Sequence, residues 1–133
     1  HSSHRRQRQM CIRDRLLSVK DEMITHNLPF VNKNGTMKEV VLKMTESRLG
    51  LALIGNEEKL EGIITDGDLR RSLLMSDDFT KIEIKDILNK SPMTAYENDN
   101  LQVAHERMKE ARLQSLIVKN NDEKIVGVIQ IFE

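Results

Sequence analysis

Along this chain the spacing of the apolar residues switches from helix-like to strand-like, and then does so again. Met37, Val40, Val41 and Met44 fall at i, i+3, i+4 and i+7, which is one face of an amphipathic helix. Thr36 with Glu39 makes a capping-box start for it, and Gly50 offers a left-handed stop. The apolar residues then become contiguous. Leu51 to Ile54 and Leu60 to Thr65, joined by the polar run Gly55 to Lys59, predict two short strands. A second helical face follows at Leu101, Ala104, His105 and Met108, and a second strand pair at Ser115 to Val118 and Lys124 to Ile129.

The second set is the first one displaced by 64 or 65 positions. Val19-Lys20-Asp21 answers Ile84-Lys85-Asp86, Arg48-Leu49 answers Arg112-Leu113, and Gly62-Ile63-Ile64 answers Gly127-Val128-Ile129. The offset grows by one between the last two matches. That places a one-residue length difference in the turn around Asn120-Asn121-Asp122, where turns tolerate it. Each unit reads β-α-β-β-α, so the chain is expected to be α+β with α/β-type repeats: 16–77 forms the first and 78–133 the second. The second unit reaches Glu133 where its last helix is expected to begin.

Chemistry concentrates at Gly62-Ile63-Ile64-Thr65-Asp66-Gly67-Asp68, where an apolar strand hands over to a helix and a hydroxyl accompanies a carboxylate. Asp66 or Gly67 is the expected cap of a helix over Asp68 to Met75, and free N–H groups at a helix start favour an anion. The pair Thr65 and Asp68 suits a phosphate and a ribose. The plainer alternative is that both residues only finish the strand and steady the first helical turn. Arg70 and Arg71 read as a solvated pair, with Arg71 a further candidate for phosphate.

Charge and composition change the picture at one end. His1 to Arg15 holds five of the 21 basic residues, one of the 21 acidic ones and the only cysteine, Cys11. This lead resembles translated adapter sequence and is set aside as foreign. What remains carries 16 positive and 20 negative groups, a mildly acidic body that argues against nucleic-acid binding. Without a thiol neither a disulfide nor a cysteine metal site forms. Apolar stretches are far short of the roughly 20 residues a membrane span needs, and a cytoplasmic location is the simplest expectation. His105 reads as a histidine at the edge of the core and His26 as a loop residue; no metal site is expected. No nucleophile with an identifiable base and no Gly-rich phosphate loop occurs, so no catalytic residues are expected.

With the repeat, the two strand pairs and the Gly62-Ile63-x-Thr65-x-x-Asp68 spacing in place, residues 16 to 133 resemble a tandem pair of CBS domains. The resemblance implies one pseudo-twofold disc in which each repeat lends strands to the other. It also implies a nucleotide-binding site at Gly62, Ile63, Ile64, Thr65 and Asp68, the Thr hydroxyl on phosphate and the carboxylate on ribose. A weaker second site would be formed by Gly127, Val128, Gln130 and Glu133, where Gln and Glu replace Thr and Asp. Thr65 to Arg71, with Val19 to Met23, Leu28-Pro29 and Leu49-Gly50-Leu51, is similar to the C-terminal third of bacterial arabinose-5-phosphate isomerases, which make the precursor of Kdo for lipopolysaccharide. That family implies an upstream sugar-isomerase (SIS) domain carrying the catalysis. It implies for this region a regulatory role, with AMP, ATP or a CMP-sugar as ligand, no required cofactor, a homo-oligomeric state, and no nucleic-acid or membrane partner. The alternatives are a ligand-independent dimerisation module and the CBS pair of a sugar nucleotidyltransferase.

Overall fold

A computed structural model describes residues 17–78 and 81–131. The arginine-rich lead and Glu133 of the second predicted site lie outside the described residues. After a 3-10 turn at Val19–Asp21 come β1 (Phe30–Val31), α1 (Met37–Ser47), β2 (Leu51–Gly55), β3 (Leu60–Thr65) and α2 (Asp66–Ser72). Then follow α3 (Ile84–Ile87), β4 (Thr94–Tyr96), α4 (Leu101–Ala111), β5 (Ser115–Lys119) and β6 (Ile125–Gln130).

The strands form two three-stranded sheets, β1-β2-β3 and β4-β5-β6. In each, the first strand runs parallel to the second, and the last two form an antiparallel hairpin. The hairpins share an irregularity at equivalent positions, Ile54/Gly55 and Val118/Lys119. The one-residue difference lies where the offset placed it. Asn56 Oδ1 accepts from the N–H groups of Glu58 and Lys59 in one turn, and Asn120 Oδ1 from those of Asp122 and Lys124 in the longer one. Glu123 takes φ 63 there, a left-handed residue that accommodates the extra length.

Side chains alternate along the strands and so serve two cores at once. From β2, Ala52 and Ile54 join Val31, Met37, Val40 and Met44 of the first repeat. From β5, Leu116 and Val118 join Ala95, Ala104 and Met108 of the second. The opposite faces, Leu51, Leu53 and Ile63 from one sheet and Ile117 and Val128 from the other, meet in a shared inter-sheet core. These strands read as continuous apolar runs because both faces are covered.

Each repeat also lends its opening segment to its neighbour. Val19 is fully buried in the second repeat's core, while Ile82 and Ile84 pack in the first repeat's core. Two isolated bridges extend the exchange: Ile24 pairs with Val128 of β6, and Asn89 with Ile63 of β3. Sequence halves and hydrophobic cores therefore partition the chain differently.

Two local expectations are corrected. The stop of α1 is Arg48, at φ 58, with its N–H bonded to the Met44 carbonyl; Gly50, at φ 73, sits two residues later in the join to β2. The Thr36 hydroxyl caps the Glu39 N–H as expected. Val41, placed on the helix's apolar face by spacing, is exposed because that side of α1 borders an open cleft.

Candidate ligand site between the repeats

Thr65 closes β3 in an extended conformation and is itself the cap of α2, displacing the expected Asp66 or Gly67. Its side chain reaches back because Asp68 stands three residues on: Thr65 Oγ1 accepts from the Asp68 N–H at 3.2 Å, and Asp68 Oδ2 accepts from the Thr65 N–H at 2.9 Å. This reciprocal capping box fixes both groups with no rotamer freedom to lose. The helix it starts ends at Ser72 rather than Met75, and seven residues align few peptide dipoles behind an anion.

Capping does not exhaust the chemistry. A hydroxyl that accepts one bond keeps its own proton to donate, and an ionised carboxylate has about four lone-pair positions. Arg71 Nη2 donates to Asp68 Oδ1 at 2.6 Å, so the guanidinium offered as a phosphate ligand is folded onto the carboxylate offered to ribose. Thr65 and Asp68 are both half-buried, whereas Arg71 is exposed.

The remaining residues of the first predicted site act through the backbone. Ile63 and Ile64 are buried, Ile63 in the inter-sheet core and Ile64 in the first repeat's core. A Cβ on Gly62 would lie 2.3 Å from the Asn89 carbonyl oxygen, and one on Gly127 would lie 2.7 Å from that of Ile24. Both glycines admit the segment lent by the other repeat, whose bridge is closed by Ile63 N–H to Asn89 O at 3.0 Å and by Ile24 N–H to Val128 O at 2.7 Å.

At the second site Gln130 does what Thr65 does not. Its Nε2 donates to the Leu49 carbonyl of the first repeat and to Ser115 Oγ, each at 3.3 Å, while Ser115 Oγ donates to the same carbonyl at 2.8 Å. Gln130 and Ser115 thus stitch the second sheet to the α1–β2 join. Val128 is fully buried.

A cleft of about 830 Å³ opens between the repeats. Its walls are paired by the repeat: Met44 with Met108, Arg48 with Arg112, Leu49 with Leu113. Asp66 and Leu69, the sequence neighbours of Thr65 and Asp68, border it, as does Gln130. A smaller cavity of about 320 Å³ lies beside Gln130, with His26, Asn27, Glu46 and Arg48. The cleft thus brings together the edges of both predicted sites. It also holds Arg48, Lys109 and Arg112, which were not singled out as site residues; the recurring Arg-Leu pair was the signal that pointed to the two arginines.

The shifted ionisations lie among residues that do not line this cleft. The Tyr96 hydroxyl donates to Glu123, which raises the tyrosine above its ordinary value and lowers the carboxyl. A hydrogen bond and charge from Glu83 raise Lys85. His105 is half-buried at the core edge and His26 exposed in a loop. Among the described residues no cluster of His, Cys, Asp and Glu could hold a metal ion, and no helix is long and apolar enough to cross a membrane.

Comparison with known proteins matches the CBS-domain family to residues 19–75 and 84–131. A probable arabinose 5-phosphate isomerase from Haemophilus influenzae is 36% identical over 116 residues, covering 86% of this chain and 34% of the relative. The chain therefore spans about a third of such a relative's length. Among solved structures, a CBS domain protein from Pyrobaculum aerophilum complexed with AMP superposes with a TM-score of 0.75 at 22% identity, covering 86% of this chain and 87% of that one. The CBS domain pair of protein MJ0100, in complex with 5'-methylthioadenosine and S-adenosyl-L-methionine, gives 0.71 at 22%, covering 85% and 88%.

Proposed function

This chain belongs to the CBS-domain family, and from that premise we propose that it is the nucleotide-sensing regulatory module of a cytoplasmic arabinose-5-phosphate isomerase whose catalysis belongs to an upstream SIS domain. The observation that carries the reading is the Thr65–Asp68 capping box, whose sequence neighbours Asp66 and Leu69 line the inter-repeat cleft. It holds a hydroxyl proton for a phosphate oxygen and carboxylate lone pairs for ribose hydroxyls in fixed positions, so binding pays little ordering entropy. The adenosine-containing ligands of the two structural neighbours support a nucleotide, and the isomerase relative supports a CMP-sugar as pathway signal.

Thermal unfolding with AMP, ATP, CMP, CMP-Kdo and arabinose 5-phosphate at millimolar concentration tests this. A ligand present at 100 times its Kd stabilises by about 2.7 kcal/mol, which raises Tm by several degrees. Thr65→Ala with Asp68→Ala removes the shift, measured against that variant's own ligand-free Tm. A flat response across the panel defeats the sensing reading.

One observation favours a second reading. Leu73, Leu74 and Met75 form an exposed apolar run after α2, with Leu74 89% exposed. Such a run suits a self-association face. Sedimentation decides: a concentration-dependent dimer indifferent to nucleotide favours assembly, and a monomer that responds to ligand removes it.

A further inference from the structure

The turn that joins β1 to α1 recurs in the second repeat between β4 and α4, and the two copies differ where backbone chemistry is possible. Asn34 and Asn98 hold equivalent exposed positions, each two residues before the helix cap, Thr36 or Asn100. In each turn the next residue donates its N–H to the carbonyl three residues back: Gly35 to Asn32 at 2.8 Å, Asp99 to Tyr96 at 2.9 Å. That next residue is a glycine in one copy and an aspartate in the other.

Packing keeps the glycine in place. A Cβ on Gly35 would lie 2.9 Å from Glu39 Oε2 and 3.0 Å from both the Asn32 carbonyl oxygen and Val31 Cγ1. The same missing side chain leaves the Gly35 nitrogen unshielded from the carboxamide of Asn34 beside it. Elsewhere local bonds hold the carboxamides: Asn32, Asn56, Asn89, Asn100 and Asn120 each accept from a backbone N–H through Oδ1. Asn34 instead donates its backbone N–H to Asn32 Oδ1, and its carboxamide carries no hydrogen bond among the described residues.

We propose that Asn34 is a self-modification site, converting to aspartate and isoaspartate through attack by the Gly35 nitrogen. That nitrogen gives up its proton and bonds to Asn34 Cγ; the bond from Cγ to the side-chain nitrogen breaks, and ammonia leaves with the proton. A succinimide remains. Water then opens the ring, giving aspartate when it adds at the side-chain carbonyl and isoaspartate when it adds at the main-chain carbonyl. Both products place a new negative charge ahead of α1, where a helix start accommodates it. Isoaspartate also adds a carbon to the main chain between Val31, paired with Ile54 in the sheet, and Thr36, which caps the Glu39 N–H. It therefore loosens the start of α1, whereas aspartate leaves it intact. The Gly35–Asn32 hydrogen bond opposes the attack, because the nitrogen must leave it to reach Cγ. An exposed turn bond shifts such an equilibrium roughly fivefold, so it slows the conversion without blocking it.

Peptide mapping by mass spectrometry of the full chain, aged at mildly alkaline pH, is the test. The amide-to-acid mass change is expected at Asn34 and not at Asn98 over the same period, with isoaspartate read by methyl uptake from an isoaspartyl carboxyl methyltransferase. Conversion in the folded chain is expected to run roughly fivefold slower than in the same chain unfolded in urea. Asn34→Gln abolishes it. Asn32→Ala, which removes the acceptor of the Asn34 N–H, loosens the turn and speeds it. Asp99→Gly brings the reaction to Asn98. Equal conversion at Asn34 and Asn98 in the unaltered chain, or an unchanged mass at Asn34 in the folded chain long after conversion in urea is complete, overturns the proposal.

Discussion

In the first repeat the strand after Gly62 ends on Thr65, whose hydroxyl turns back on its own chain to cap α2; in the second the strand after Gly127 ends on Gln130, whose amide crosses to the Leu49 carbonyl. Backbone path and glycine requirement are the same in both. The difference lies in what the last side chain holds. A short hydroxyl held by local bonds keeps a proton for a ligand at the cleft edge, while a long amide spends its donor joining two repeats. One repeat ends in a site with unused hydrogen-bonding capacity, the other in a clamp. Symmetry of fold therefore does not carry symmetry of function, because two or three side chains at the strand ends decide what is left over.

Substituting the glycines tests the shared part of the comparison and has the largest effect. Gly62→Ala drives a Cβ against the Asn89 carbonyl and the Leu88 side chain, and is expected to cost about 3 kcal/mol in urea unfolding. Gly127→Ala meets the Ile24 carbonyl less closely and the flexible Met23, and should cost about half as much. Equal costs, or none, would mean that the lent segments are not held as described.

The strand ends come next. Thr65→Ala loses the cap of α2, an expected cost of about 1.5 kcal/mol, while Thr65→Ser keeps most of it. Gln130→Ala is expected to cost slightly less, about 1 kcal/mol, since Ser115 still donates to the Leu49 carbonyl. The two variants separate on a second readout: Thr65→Ala abolishes the nucleotide-induced Tm shift, and Gln130→Ala leaves it intact while weakening coupling between the repeats. If Gln130→Ala abolishes the shift too, the asymmetry drawn here is wrong.

The smallest effect is a pH dependence confined to the second repeat, since the position equivalent to Tyr96 in the first repeat is Asn32. Glu123, lowered by its bond to Tyr96, contributes stability that is present above the ordinary carboxylate value and fades as pH falls through its own lower one. Tyr96, raised by the same bond, contributes stability that is present below about pH 10 and fades as pH rises through its higher value. Both ends of a Tm-against-pH profile should flatten in Tyr96→Phe; an unchanged profile would assign no weight to the pair.

Much of this was legible in the residues. Period-3.6 spacing located α1 and α4, and continuous apolar runs located the four long strands to within a residue or two, because helices that bury one face and strands that bury both write those patterns. Boundaries set by single side chains were harder. Arg48 rather than Gly50 ends α1, since propensity favours glycine at a left-handed stop but the helix's last carbonyls were satisfied two residues earlier. Val41 fits the apolar face by spacing, yet a helix beside an open cleft leaves part of that face uncovered. Asp68 and Arg71 were read as separate ligands, and only the three-residue spacing on a formed helix brings one onto the other.

The sequence by itself determined the repeat, the order of elements within it, the place of the one-residue difference and the two glycines, since each is a local property or a periodicity that survives without coordinates. The tertiary structure decided which groups remain free. Whether Gln130 clamps and whether Arg48 and Arg112 share a cleft depend on contacts between residues far apart in the chain, and spacing along one strand or helix contains no information about the surface that will close over it.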